Sequence, residues 1–117
     1  MELSLDDSGK YPIVSIDGEI SKHEDHSERI KEAYRGLVGK GKTKIIFNLE
    51  NITYRQWSDI WEVILSTHFN LMHYRGKAVF LKPNEKLKRG LKAAKFDVLI
   101  DIVENEEEAM KHLDAIF

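Results

Sequence analysis

The sequence has 117 residues, of which 42% are hydrophobic and 32% are charged, and its formal net charge is −2. This length suits a single core, so we expect residues 1–117 to form one domain. The absence of cysteine excludes disulfides, cysteine catalysis and thiolate metal ligands. The small net charge provides no general attraction to nucleic acid or to an anionic membrane. With no signal-peptide pattern at the start and no apolar run of about 20 residues, we expect a cytoplasmic protein without membrane insertion.

Hydrophobic periodicity and the positions of glycine predict the elements of the first half of the chain. Ile13, Val14 and Ile16 indicate a strand that pairs with the preceding one as a hairpin, and Gly18 is expected to end it. The continuous apolar run at 45–47 is typical of a strand that is covered on both faces. The predicted elements are strands over 2–6, 11–17 and 44–49, a helix over 25–38 and a loop over 50–57.

The second half of the chain carries helices separated by short apolar runs. An apolar stripe predicts a well-buried helix over 58–73, which has Phe69 and Met72 on its inner side and stops at Gly76. Asn84 and Asn105 are predicted N-caps of a third and a fourth helix. The runs at 78–81 and 98–100 are predicted strands, and the predicted inward residues of the last two helices are Leu87, Leu91, Ala94, Ala109, Leu113 and Ile116 or Phe117.

The predicted element order is a hairpin followed by a regular alternation of helix and strand. Such alternation is typical of an α/β fold, because consecutive parallel strands need a crossover helix between them. We therefore expect a mixed, mostly parallel sheet of about five strands, with four helices packed on it and an initial β-hairpin.

The segment Gly36–Thr43 fits the phosphate-binding pattern G-x-x-x-x-G-K-T, but its setting is reversed. The pattern binds phosphate when it follows a strand and begins a helix, because the free amides of the helix then face the anion. Here it ends a predicted helix and precedes a strand, where free carbonyls repel an anion. We interpret it as a glycine helix stop followed by a solvated basic turn, and a nucleotide hydrolase is the least supported hypothesis.

The other ionisable groups also have structural interpretations. The histidines and acids at 23–28 lack the spacing of a closed metal site, and acids at a helix start explain most of them. His68 is expected to be a core histidine with satisfied hydrogen bonds. The basic residues of 82–95 are expected to form a solvated helix face, because no aromatic residues alternate with them. No nucleophile motif is present, so we expect no catalytic residues, no metal and no cofactor.

From about residue 11 to residue 115, the segments and their order resemble the STAS domain, the fold of bacterial anti-sigma-factor antagonists. No single segment is distinctive, and the resemblance depends on their shared order and spacing. It implies a non-catalytic module that binds a regulatory protein such as an anti-sigma factor. The segments that carry it are Ile13–Ile20 (IVSIDGEI), Lys44–Ile52 (KIIFNLENI), Arg75–Leu81 (RGKAVFL) and Glu107–Ala109 (EEA).

The family's phosphorylation motif is replaced in this sequence. In the family, an acidic residue, a phosphorylated serine, a small residue and a glycine follow the central strand, and the phosphate switches partner binding off through its charge. The resemblance places Gln56 at the acidic position, Trp57 at the phosphoserine, Ser58 at the small residue and Asp59 at the glycine. Tryptophan has no hydroxyl, so the resemblance implies a module without the usual switch.

Two interpretations remain open for each of two residues in this segment. Ser58 is either the N-cap of the following helix, which we favour, or a displaced phosphate acceptor. Trp57 is either a core aromatic or, with Tyr54 and Arg55, an exposed anchor of the type enriched at interfaces, which would also suit a homodimer. The candidate partner-binding residues are Tyr54, Arg55, Gln56, Trp57, Ser58, Asp59 and Trp61.

Two functions are compatible with the resemblance. The first is a module that binds a regulatory protein through the 54–61 turn and the following helix, without the serine switch. The second is a STAS-like module that is reused in a transport complex or for small-molecule or lipid binding. The second function requires an apolar pocket beneath the 52–61 loop, and a solid core there counts against it.

Overall fold

A computed structural model describes residues 1–115, which form six strands, four α-helices and two 3-10 turns. The predicted inward positions of Ile116 and Phe117 lie outside these described residues. The strands are β1 (Glu2–Asp6), β2 (Ile13–Glu19), β3 (Lys44–Asn48), β4 (Ile52–Thr53), β5 (Lys77–Leu81) and β6 (Asp101–Val103). The helices are α1 (His26–Gly39), α2 (Trp61–His73), α3 (Glu85–Ala93) and α4 (Glu106–Asp114), and the 3-10 turns span Trp57–Asp59 and Phe96–Val98.

The sheet has the strand order β1-β2-β3-β5-β6, and the short strand β4 pairs with the end of β2. β1 and β2 pair antiparallel as the predicted hairpin, with Leu3 opposite Ile16, and every other pair is parallel. The predicted mixed, mostly parallel sheet is therefore confirmed. Because parallel strands all end at the same edge, the connections that follow β2, β4 and β5 lie side by side there.

Helices cover both faces of this sheet. On the face of α1, α2 and α3, the Phe47 ring of β3 stacks on Phe80 of β5 at a centroid distance of 5.8 Å, and Tyr34 of α1 meets Phe47 edge-on at 6.3 Å. On the opposite face, Val79 of β5 packs in a second cluster with Leu113 of α4. The central strands are apolar on both sides because both sides are covered, as the sequence predicted for β3.

Strand β2 begins and ends two residues later than the sequence predicted. It continues through Gly18 to Glu19, because Gly18 lies opposite Ile52 of β4 and its amide donates to the Asn51 carbonyl at 3.0 Å. Gly18 has a φ of +95°, a conformation that favours glycine. The prediction that Gly18 ends the strand was therefore wrong, and the predicted loop over 50–57 contains a short strand.

The predicted strand at 98–100 was wrong. Val98 lies in a 3-10 turn with 86% of its surface exposed, and the last strand, β6, begins only at Asp101. The register with β5 explains the shift, because it is Val103 that lies opposite Leu81 and joins the core on the α4 face. An apolar run marks a strand only where a neighbouring strand is available to pair with it.

The inner faces of two helices are narrower than predicted. Phe69 and Met72 of α2 are half exposed, while Thr67 is buried. Ala94 lies at the exposed C-cap of α3 rather than in the core. A helix that packs on a sheet with a helix on either side still presents one strip to solvent, and Phe69 and Met72 lie on that strip.

Among the described residues, no helix combines the length and apolar character that crossing a bilayer requires.

The predicted N-caps of the third and fourth helices are confirmed. The Asn84 carboxamide accepts from the Leu87 amide at 3.0 Å, and that of Asn105 accepts from the Glu108 amide at 2.8 Å. The segment Gly36–Thr43 forms the end of α1 and the turn before β3, as its reversed setting predicted. These features involve residues within a few positions of each other, which is why sequence alone could identify them.

His68 departs from its expected environment. It is buried on α2, but its Nδ1 atom has no hydrogen-bond partner among the described residues, so the prediction of a satisfied histidine was wrong. Burial lowers the pKa of His68, and the charge of Lys77 on β5 lowers this pKa further, while Asp101 on β6 opposes both effects. The folded state therefore favours the neutral imidazole.

Gly76 provides a first test of the packing. A Cβ atom there would lie 2.0 Å from the Thr43 carbonyl oxygen, which also accepts the Lys77 amide between β3 and β5. We expect Gly76→Ala to lower the free energy of unfolding by about 2–3 kcal/mol in urea titrations, because the strands must separate to admit the methyl group. The control is Gly36→Ala in α1, where an added Cβ meets no atom within 4 Å. This variant should raise the free energy of unfolding by about 0.5–1 kcal/mol, because alanine favours a helix more than glycine does. Equal stabilities of the two variants would contradict this packing.

His68 provides a second test, on pH dependence. Because its folded pKa lies below the unfolded value of 6.5, the unfolded chain binds more protons, and stability should fall as the pH drops through 6.5 towards the folded pKa. We expect His68→Met to raise stability by about 1 kcal/mol, since an unpaired buried nitrogen is removed, and to flatten the pH profile. Urea midpoints between about pH 7 and pH 5 measure this. The exposed His73→Met is the matched control, and an equally steep profile for His68→Met would refute the assignment.

Candidate functional site

The candidate site is the turn surface, residues 54–61, between β4 and the first turn of α2. It lies at the edge where the parallel strands end, next to the β2–α1 connection and to α3. Its centre is the 3-10 turn Trp57–Asp59, which the sequence analysis had assigned to the loop and to the start of the helix. The α-helix itself begins at Trp61, three residues later than predicted.

The Asp59 carboxylate holds the turn surface in place. One of its oxygens accepts the amide of Gln56 and the other accepts the amide of Lys22 in the β2–α1 connection, each at 3.2 Å. The side chain is almost fully enclosed, with 9% of Asp59 exposed. The amide of Lys22 and that of Gln56 lower the pKa of the carboxyl against the effect of burial, so it is charged at neutral pH. Asp59 therefore joins two loops that are distant in sequence.

Ser58 is not the N-cap that we favoured. It lies inside the 3-10 turn and has Gln56 before the turn and Ile60 before α2. Its hydroxyl lies 3.3 Å from the Lys22 ammonium and 3.5 Å from the Gln56 side-chain oxygen. The capping prediction failed because a 3-10 turn precedes α2, so that Ile60 and not Ser58 comes directly before the helix.

The Trp57 indole packs inward, which favours the core-aromatic interpretation over the exposed anchor. It is partly buried against the main core cluster, and it meets Tyr54 at a centroid distance of 6.4 Å and Phe96 at 5.8 Å. Its outer ring atoms lie over Gly90 of α3, where an added Cβ would come within 2.6 Å of the indole. A glycine in the middle of a helix costs about 1 kcal/mol relative to alanine, and here it admits the indole.

Tyr54 fixes the turn surface to α3 as well. It is 7% exposed, its hydroxyl donates to the Lys86 carbonyl at 3.2 Å, and the Lys86 ammonium donates to the Tyr54 carbonyl at 2.7 Å. The same ammonium lies 4.3 Å from the centre of the Tyr54 ring, a cation–π arrangement. Burial raises the pKa of Tyr54, and the nearby charge of Arg89 opposes this shift.

The accessible part of the turn surface is polar. The Arg55 side chain is 83% exposed and its Nε lies 3.1 Å from the Glu19 carboxylate, an exposed ion pair of small energetic value. Gln56 is also exposed, whereas Trp61 is only partly buried. Of the seven candidate residues, Arg55 and Gln56 are therefore the ones whose side chains a partner can reach most freely.

Three residues that shape the site had no signal in the sequence. They contact the turn surface from parts of the chain that are distant in sequence: Gly90 and Lys86 lie in α3, and Lys22 lies between β2 and α1. Lys86 is separated from Tyr54 by 32 positions. Within residues 1–115, no three His, Asp or Glu side chains are placed to share a metal ion. In the cluster at 23–28, the His26 Nδ1 instead accepts the Ser21 amide at 3.0 Å.

The chain is similar to solved structures of anti-sigma factor antagonists. An antagonist from Mycobacterium paratuberculosis superposes with a TM-score of 0.76 at 13% identity, over 97% of this chain and 93% of that one. The anti-sigma factor antagonist SpoIIAA, unphosphorylated, gives 0.69 at 20% identity, over 98% and 100% of the two chains. This chain has the STAS fold. The phosphorylated form of SpoIIAA, a cell fate determinant of Bacillus, gives 0.67 at 19% identity, over 95% of this chain and 98% of that one.

These identities establish the STAS fold and not a shared activity. No protein-family model matches the sequence, and no curated protein matches it. The resemblance derived from segment order is therefore confirmed at the level of the fold, over nearly the whole chain. A fold hosts many functions, so the role of the turn surface has to be argued from its own residues.

The Asp59 carboxylate is open to a direct test. We expect Asp59→Asn to lower the urea midpoint at neutral pH, because one of the two loop amides then faces a side-chain NH₂ group. The folded pKa lies below 3.8, so this difference should be complete above 3.8 and disappear as the pH falls through 3.8 towards the folded value. Asp97→Asn is the matched control, since Asp97 is exposed in the other 3-10 turn. A deficit that persists in acid, or one shared by Asp97→Asn, would disprove the proposed cross-link.

Proposed function

We propose that the protein is a non-catalytic interaction module that binds a regulatory protein, such as an anti-sigma factor, through the turn surface and the start of α2. The observation that carries this proposal is the construction of the turn surface. The buried carboxylate of Asp59 and the paired Tyr54 and Lys86 hold it rigid, while Arg55 and Gln56 project into solvent. Preorganised surfaces lose little entropy on binding.

We also propose that phosphorylation does not switch this module at the usual position. The residue aligned with the family's phosphoserine is Trp57, which lacks a hydroxyl and is packed against Gly90. The neighbouring Ser58 has its hydroxyl between Lys22 and Gln56 inside the 3-10 turn. These two contacts engage the only hydroxyl of the 3-10 turn, which supports a constitutive module.

The alternative of a small-molecule or lipid site has less support. Beneath the 52–61 loop, Ile52 and Ile60 are fully buried and belong to the main core cluster. The space beside the loop is an open groove rather than an enclosed pocket. Small-molecule sites bury most of their ligand in a concave cavity, so this geometry counts against that function.

Binding measurements with purified partners test the proposal. Each anti-sigma factor encoded in the source genome should be titrated against the chain by calorimetry, and we expect one of them to bind. Arg55→Glu should weaken that complex about tenfold or more, because it reverses the most exposed charge of the turn surface. Lys111→Glu on α4 is the control and should leave the affinity unchanged, since α4 lies on the opposite face of the sheet.

Two results would contradict the proposal. If no anti-sigma factor binds, the proposed partner class is wrong. If Arg55→Glu and Lys111→Glu have equal effects on the affinity, the turn surface is not the interface. If an anti-sigma factor with kinase activity phosphorylates Ser58, as measured by mass spectrometry, and the complex then dissociates, the proposal of an unswitched module is wrong.

A further inference from the structure

A groove runs between the turn surface and α3. Its walls are formed by Tyr54 and Trp57 on one side and by Lys86, Gly90 and Ala93 of α3 on the other, and it is open to solvent with a volume of about 440 Å³. The α3 residues recur at positions i, i+4 and i+7, so they form one continuous side of the helix. Gly90 has no side chain and Ala93 has only a methyl group, so the groove stays open, and its lining is mainly apolar.

Unpaired positive charge borders this groove. Arg89 is exposed and forms no ion pair within residues 1–115, and Lys86, three positions earlier on α3, forms part of the groove wall. By contrast, Lys88 on another side of α3 pairs with Glu104. Arg89 lies on the groove side, since its charge acts on the Tyr54 hydroxyl. Arg89 and Lys86 form the α3 rim, a local positive border on a chain whose net charge is −2.

We propose that the groove receives an acidic segment of a partner protein, with one apolar side chain in the groove and carboxylates against the α3 rim. This inference rests on the proposed function, because the turn surface forms one wall. The apolar lining suits an apolar side chain, and the positive rim suits carboxylates. Complementary potentials favour a partner segment that carries both groups.

Single-stranded nucleic acid fits the groove less well than an acidic peptide. Such ligands require exposed aromatic faces on which bases stack. The Trp57 ring packs against Gly90 and Phe96, and the Tyr54 ring is buried and covered by the Lys86 ammonium. The groove therefore offers cations and an apolar slot but no free stacking platform.

A peptide selection followed by titration tests this inference. Random peptides displayed on phage should be selected on the full chain, and we expect sequences with Asp or Glu around one large apolar residue. The most enriched peptide, synthesised and titrated by fluorescence anisotropy, should bind Arg89→Glu about tenfold more weakly, because like charges then meet. Ala93→Arg separates the two features, since it fills the groove while it adds positive charge. It should also weaken binding, and Arg35→Glu, which reverses an exposed cation on α1, should not.

Several outcomes overturn the inference. They are selected peptides without acidic enrichment, affinity that rises in Ala93→Arg, unchanged affinity in Arg89→Glu, and oligothymidylate binding that exceeds peptide binding and is lost in Arg89→Glu. The proposed function is judged separately. If an anti-sigma factor complex is sensitive to Arg55→Glu but not to Arg89→Glu or Ala93→Arg, the groove assignment fails while the turn surface stands.

Discussion

The contact between the Trp57 indole and Gly90 determines the geometry of the whole candidate site. The indole can lie on α3 only because position 90 has no side chain, since an added Cβ would approach it to 2.6 Å. Once the indole is there, the 3-10 turn is drawn against the helix, and Tyr54 and Lys86 can exchange their two hydrogen bonds. The rigid turn surface and the groove beside α3 both follow from this one contact.

A second constraint comes from the other side of the turn. The Asp59 carboxylate accepts amides from both the turn and the β2–α1 connection. Asp59 and Trp57 thus fix the turn surface from two sides. A fixed surface suits binding that is controlled by the supply of partner rather than by a covalent switch, and this agrees with the proposed unswitched module.

The elements that the sequence predicted correctly depend on nearby residues. The caps at Asn84 and Asn105, the hairpin and the apolar strands β3 and β5 all arise from patterns within a few positions. The predicted strand at 98–100 failed because its apolar character was local, whereas strand pairing with β5 is not. The place of the candidate site could likewise be predicted from the order of segments. Its construction could not, because Gly90 and Lys22 reach Trp57 and Asp59 from distant connections.

The central claim is that partners engage the turn surface and the α3 side of the sheet edge. Backbone amide chemical shifts of the labelled chain, recorded with and without a bound anti-sigma factor, test it most directly. The account predicts that the largest chemical-shift changes fall on the amides of Arg55, Gln56 and α3. Changes confined to α4 or to the edge strand β1, with the turn surface unaffected, would contradict it.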